Sequence, residues 1–134
     1  MVKAMLNAIK VHAAGSKASG SVYDRVGGRI YSPSAPDQVR CPYIVFVNQG
    51  TVRNEGYGFA FHEMSIRFVI YTDAEHDMTS AENILDALED RFAWQSLTVS
   101  GGNTVYCRPE VKIGPTKIDG RIQAAQDFTF TVQE

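Results

Sequence analysis

Hydrophobic positions switch between helical and strand spacing along the chain, and the switches mark its elements. In residues 2–13, Met5, Leu6, Ile9 and His12 or Ala13 recur at helical spacing, while Lys3, Asn7 and Lys10 fall elsewhere. This predicts a short amphipathic helix, stopped at Gly15 and Ser16. Val22-Tyr23-Asp24-Arg25 predicts another helical turn, after which Gly27-Gly28 launches a short strand over 29–32. Pro33, Pro36 and Pro42 fix φ and remove backbone donors, so 32–42 reads as a loop. The apolar run that opens Tyr43 to Asn48 predicts a central strand buried on both faces. Gln49 to Ala60, with Gly50, Gly56 and Gly58, reads as a long hairpin connection, either end of which can be extended.

The clearest strand pattern covers Phe61 to Thr72. His62, Met64, Ile66, Phe68 and Ile70 point one way, and Phe61, Glu63, Ser65, Arg67, Val69 and Tyr71 point the other. The second set starts polar and turns apolar, so that face should be covered only at its far end. Asp73 to Met78 is an acidic loop. Thr79-Ser80-Ala81-Glu82 fits a capping box with Thr79 as N-cap. Behind it, Ala81, Ile84, Leu85, Leu88 and Phe92 form one helical stripe, with Glu82, Asp86, Glu89 and Asp90 mostly on the other side. Each Leu or Ile buried there contributes about 1.5–3 kcal/mol. Leu97 to Ser100 and Asn103 to Ile113 read as a hairpin around Gly101-Gly102, with a further turn at Gly114-Pro115. Arg121 to Val132 is the last strand. The order predicts one α+β domain over 1–134, an antiparallel or mixed sheet with helices packed mainly on one face.

Composition changes this picture little. The chain has 134 residues, 44% hydrophobic and 21% charged, and a formal net charge of −2. That is enough for one core, and it gives no electrostatic reason to expect nucleic-acid binding. Residues 1–14 are interrupted by Lys3, Asn7, Lys10 and His12, which makes a poor signal peptide. No stretch approaches a membrane span, so the expectation is a soluble protein in the cytoplasm where it is made. Cys41 and Cys107 form no C-x-x-C pair and read as reduced thiols on or beside strands.

Candidate chemistry is thin. Asp73-Ala74-Glu75-His76-Asp77 gathers metal-ligand types but lacks an EF-hand's spacing and glycine, so it reads as a solvated loop before a helix. His62 and His12 read as partly buried structural histidines. Gly56-Tyr57-Gly58 is no dinucleotide fingerprint, and no Gly-x-Ser-x-Gly elbow or Walker loop occurs. The aromatics Tyr57, Phe59 and Phe61 on a glycine-hinged loop read instead as contact anchors or as hairpin packing. No catalytic, metal or cofactor residues are assigned. The assembly-interface candidates are Arg53, Tyr57, Phe59, Phe61, Asp73, Glu75 and Asp77, with the Pro-rich loop 32–42 as a further contact element.

In element order the chain resembles the phage tail terminator, or tail-completion, family. The resemblance rests on the N-terminal helix, Gly27-Gly28-Arg29-Ile30-Tyr31, the Pro-rich loop and Pro42-Tyr43-Ile44-Val45-Phe46. It continues through the His62-to-Tyr71 strand, the acidic loop, the helix around Ile84-Leu85-Leu88, and Phe128-Thr129-Phe130-Thr131-Val132. It covers nearly the whole chain, through strand and turn patterns rather than catalytic signatures. It implies a virion structural protein of a long-tailed phage or prophage, with no enzymatic activity and no cofactor. Copies form a ring, typically a hexamer, on the head-proximal end of the tail tube. The ring stops tube polymerisation and joins the head. Its partners are then itself, the tail tube protein, a head-completion protein, and DNA that only passes through the lumen. A head-to-tail connector or neck protein is the alternative within the same class. A small α+β enzyme or binding protein using His62, Asp73 or Glu75 is the alternative from another.

Overall fold

The computed structural model describes residues 2–56, 59–73, 78–99 and 104–133. Their element order is α1 (Val2–Ala13), α2 (Val22–Arg25), β1 (Ile30–Tyr31), β2 (Tyr43–Gly56), β3 (Phe59–Asp73), α3 (Met78–Phe92), β4 (Ser96–Thr98), β5 (Thr104–Ile118) and β6 (Arg121–Gln133). The strands form one sheet in the order β1-β2-β3-β6-β5-β4. Only the β1–β2 pair is parallel, so the sheet is mixed.

Strand alternation builds the core. Met64, Ile66, Phe68 and Ile70 of β3 are fully buried, as the period-two pattern requires. Phe128, Phe130 and Val132 of β6 and Ile44 and Phe46 of β2 join them in one cluster with Met5 and Ile9 of α1 and the α3 stripe. Phe92 of α3 lies at the centre, with its ring centroid 5.1 Å from Phe68, 5.8 Å from Phe128 and 6.0 Å from Phe130. These are edge and tilted contacts, the arrangements that aromatic quadrupoles favour.

The two longer helices are tied together at their C-terminal ends. His12 Nε2 donates to the Arg91 carbonyl at 2.8 Å, and Arg91 Nε donates to the His12 carbonyl at 2.8 Å. The His12 ring thereby reaches a last-turn carbonyl of α3, and the Arg91 guanidinium adds a second donor to the α1 carbonyl that the Gly15 N–H reaches at 3.1 Å. The His12 ring also packs edge-on against Phe92, at 5.1 Å. Burial is the main force that lowers the His12 pKa; the hydrogen bond to Arg91 opposes it.

At the other end, Gly27 and Gly28 both take positive φ, 59° and 76°. A Cβ on Gly28 would lie 2.9 Å from the Tyr23 ring, so this turn needs glycine twice over. Arg29 Nε then donates to the Pro42 carbonyl at 3.0 Å, bridging the two ends of the Pro-rich loop. The Ser32–Pro33 and Cys41–Pro42 peptide bonds are cis.

Several expectations are corrected. Pairing takes up most of the 49–60 connection: the ladder runs from Gly50↔Ser65 to Gly56↔Phe59 after one bulge between Asn48 and Gly50, and residues 57–58 lie outside the described residues. Cross-strand pairing on an aromatic-rich partner outweighs the glycines' preference for turns. β2 is not buried on both faces: Ile44 and Phe46 are in the core, while Val45 and Val47 stay half-exposed beneath the Pro-rich loop. Gly114-Pro115 lies inside β5, where a register shift between Ile113 and Thr116 absorbs it. The turn comes at Asp119-Gly120, both at positive φ. Thr79 sits within the first turn of α3, which begins at Met78, and is not its N-cap. The Gly101-Gly102 turn lies outside the described residues.

Two predictions follow from this packing. Phe92→Ala removes the ring that three sheet phenylalanines share and should cost about 3–5 kcal/mol in urea unfolding. His12 titrates with a lowered pKa in the folded state, so the unfolded chain takes up its proton first as pH falls. Stability from this group is therefore complete above the unfolded value near 6.5 and is lost below it. Melting curves at pH 7.5 and 5.5 should show a larger loss for the wild type than for His12→Gln, which keeps a donor and does not titrate.

Candidate assembly surfaces

The interface candidates fall at opposite ends of one strand pair. Arg53 pairs with His62 and Asn54 with Phe61 near the β2–β3 tip, whereas Asp73 closes β3 at its far end, opposite Arg121. Twelve residue steps along β3 separate Phe61 from Asp73, roughly 40 Å at strand spacing. Arg53 is exposed, and Phe61 and His62 are half-buried. The backbone of Phe59 opens β3. Tyr57, Glu75, Asp77 and the rest of 74–77 lie outside the described residues. The structure therefore places Arg53, Phe59 and Phe61 together and sets Asp73 apart from them.

Around Asp73 the outer face of the sheet carries an aromatic row. Tyr43 stacks on Tyr71 with centroids 4.8 Å apart, and Tyr31 meets Tyr43 edge-on at 6.5 Å. Arg121 Nη1 donates to the Tyr43 hydroxyl at 2.9 Å. The Pro-rich loop arches over this row and leaves an open depression of about 560 Å³ above Tyr43, Val69 and Tyr71. Phe61, Glu63, Ser65, Arg67, Val69 and Tyr71 are nonetheless all half-buried, so cover on this face of β3 is not confined to its far end as the sequence pattern suggested.

The middle of that face is polar. Arg67 and Asp127 form a two-pronged ion pair at 2.8 and 3.0 Å. Beside it, Glu110 accepts from Arg108 at 2.8 Å and from Thr129 at 3.0 Å, and both bonds hold its carboxyl below the usual range.

The two edges of the sheet differ. The β5 edge carries Pro109, Pro115, Lys112, Lys117 and two register shifts, and Lys112 is drawn to Asp86 and Glu89 of α3. Prolines, bulges and lysines are the devices that stop an edge from pairing with another strand. β2 past Val45 has one bulge and no proline.

Large apolar side chains cluster where β4 meets β5. Trp94 is 72% exposed and Tyr106 64%, with Val111 and Ile113 further along β5. Trp94 holds φ at 61°, and its N–H donates to the Cys107 carbonyl at 2.9 Å, which fixes the indole-bearing turn against β5. Neither Trp94 nor Tyr106 is among the interface candidates that the sequence offers. The legible signal was a lone Trp just past the end of the α3 stripe, where nothing apolar remained for it to cover.

No group of three metal-ligating side chains occurs among the described residues. The buried Cys107 thiol is pushed strongly upward by desolvation, and Cys41 is raised by burial and then by hydrogen bonding to Asp73. Both are free thiols with little thiolate character at neutral pH. No helix among the described residues is long and apolar enough to cross a membrane.

No protein-family model and no curated protein matches the chain. Solved structures do resemble it. A chain in the virion of a native gene transfer agent particle shares its fold with a TM-score of 0.77 at 13% sequence identity. The match takes in 96% of this chain and 97% of that one, so the two share the fold from end to end.

Proposed function

We propose that this protein is a virion structural component of a phage-like particle, the terminator ring of its tail. The observation that carries the reading is the end-to-end fold match to a chain of a gene transfer agent virion. It agrees with the tail-terminator pattern of helix, Gly-Gly strand, Pro-rich loop and closing strand in the sequence.

The mechanism is capping. Copies close into a ring, typically six, on the head-proximal end of the tail tube, and the docked ring leaves the next tube subunit no surface to join. Ring symmetry multiplies each modest contact, so no single interface has to be strong. A protein held between tube and head needs two separate contact surfaces. The tip bearing Arg53 and Phe61 and the end bearing Asp73 and the Pro-rich loop lie at opposite ends of β3, which suits that position. The exposed Trp94 and Tyr106 supply the aromatic anchors that enrich protein interfaces. The same ring passes DNA through its lumen without reading its sequence.

Electron microscopy of particles made without this gene tests the reading. A terminator's loss gives overlong or ragged tails free of filled heads. Tails of normal length beside separate heads would identify a head-to-tail connector instead, and intact virions would remove both. In the purified protein, Trp94→Ala combined with Tyr106→Ala should impair assembly onto tail tubes. Because both side chains are exposed, unfolding stability should change by no more than about 0.5 kcal/mol.

A further inference from the structure

The parallel pair β1–β2 ends abruptly. Ile30 and Tyr31 pair with Ile44 and Val45, and the chain then leaves the sheet at Ser32-Pro33. Pro33 has no N–H with which to continue a ladder. Beside the next residues of β2 lies a groove of about 760 Å³, walled on the other side by α1. Phe46 and Val47 both line it, although their side chains point to opposite faces of the sheet, so the groove opens onto the strand edge itself. The Ile44 N–H donates to the Arg29 carbonyl at 2.9 Å, away from β3. Antiparallel alternation turns the backbone groups of Phe46 to the same outer side. The groove's wall is apolar at Leu6 and Pro33, and its rim carries Lys3 and Lys10 with no carboxylate among the lining residues.

These features describe a strand position that the chain's own β1 starts and does not fill. We propose that the groove receives an extended, acidic segment of a partner protein as an added strand beside β2. Main-chain hydrogen bonds to the β2 edge hold the segment, alternate apolar side chains lie on Leu6 and Pro33, and its carboxylates meet Lys3 and Lys10. The inference goes beyond the ring reading and does not depend on it, since it concerns a peptide that a single copy can bind.

The test titrates ¹⁵N-labelled protein with two synthetic nine-residue peptides of alternating valine and threonine, one with paired aspartates at each end and one with paired lysines. The acidic peptide should shift the amides of Phe46, Val47 and Asn48 and of α1. It should bind roughly tenfold more tightly than the basic one, which corresponds to two exposed ion pairs. Lys3→Glu with Lys10→Glu should reverse that preference; both lysines are exposed, so the fold should survive the change. Asn7→Trp, which fills the groove from an exposed position on α1, should abolish binding. Shifts confined to another surface, equal affinity for the two peptides, a preference unchanged by the charge reversal, or no binding of either peptide would each overturn the proposal.

Discussion

The contact on which the fold depends is Phe92 of α3 set among Phe68, Phe128 and Phe130. It joins the one long helix after β3 to the two central strands, and those strands are far apart in sequence. β3 and β6 pair over thirteen register positions, from Phe61↔Gln133 to Asp73↔Arg121, which closes a long loop of chain at an entropic cost. The aromatic burial offsets that cost, and it also fixes register. A one-residue slip of β6 would turn Phe128 and Phe130 outward and bring Thr129 and Thr131 into the core. Once this register is set, the outer face of the pair follows: Arg67 must face Asp127.

The asymmetry of the edges limits how copies can join. A closed ring uses a head-to-tail interface between two different surfaces. Strand pairing between copies would need an open edge on each side of the sheet; on the far side β5 is blunted by prolines, bulges and lysines, with the three-residue β4 outside its start. In the proposed ring, contacts would then run through side chains, such as the exposed Trp94 and Tyr106, rather than through one continuous sheet. The β2 edge past Val45 is the one that the proposed added strand would use.

Much of the fold was legible because two periodicities dominate it. The α3 stripe and the alternations of β3 and β6 carry their burial pattern openly, and the helix over 2–13 ends where its spacing ends. The errors arose where a local signal met a long-range one. Glycines at 50 and 56 and the pair Gly114-Pro115 are turn signals in isolation, but in the fold they lie in paired strands, with bulges taking up the irregularity near 50 and 114. The apolar run of β2 looked buried on both faces, because periodicity does not reveal that only a loop covers Val45 and Val47. Surfaces were less legible still. Trp94 is exposed because a turn at positive φ holds it off the core, and the groove beside β2 exists only once α1 is packed across from the sheet edge.

The 13% identity over a nearly complete structural match has a physical reading. A core of this kind asks for apolar residues of suitable volume at alternating positions, a demand that many sequences meet. Precise identity matters only at sparse points, such as glycine at position 28 against Tyr23, or the mutual capping of His12 and Arg91. A catalytic protein of the same fold would add a cluster of chemically exacting side chains in fixed geometry. An assembly protein adds surfaces, and these need only complement partners that change with them. Such a chain can keep its architecture while its sequence drifts beyond recognition, and its function is then read from which edges are closed, which aromatics stay exposed and which strand position is left empty.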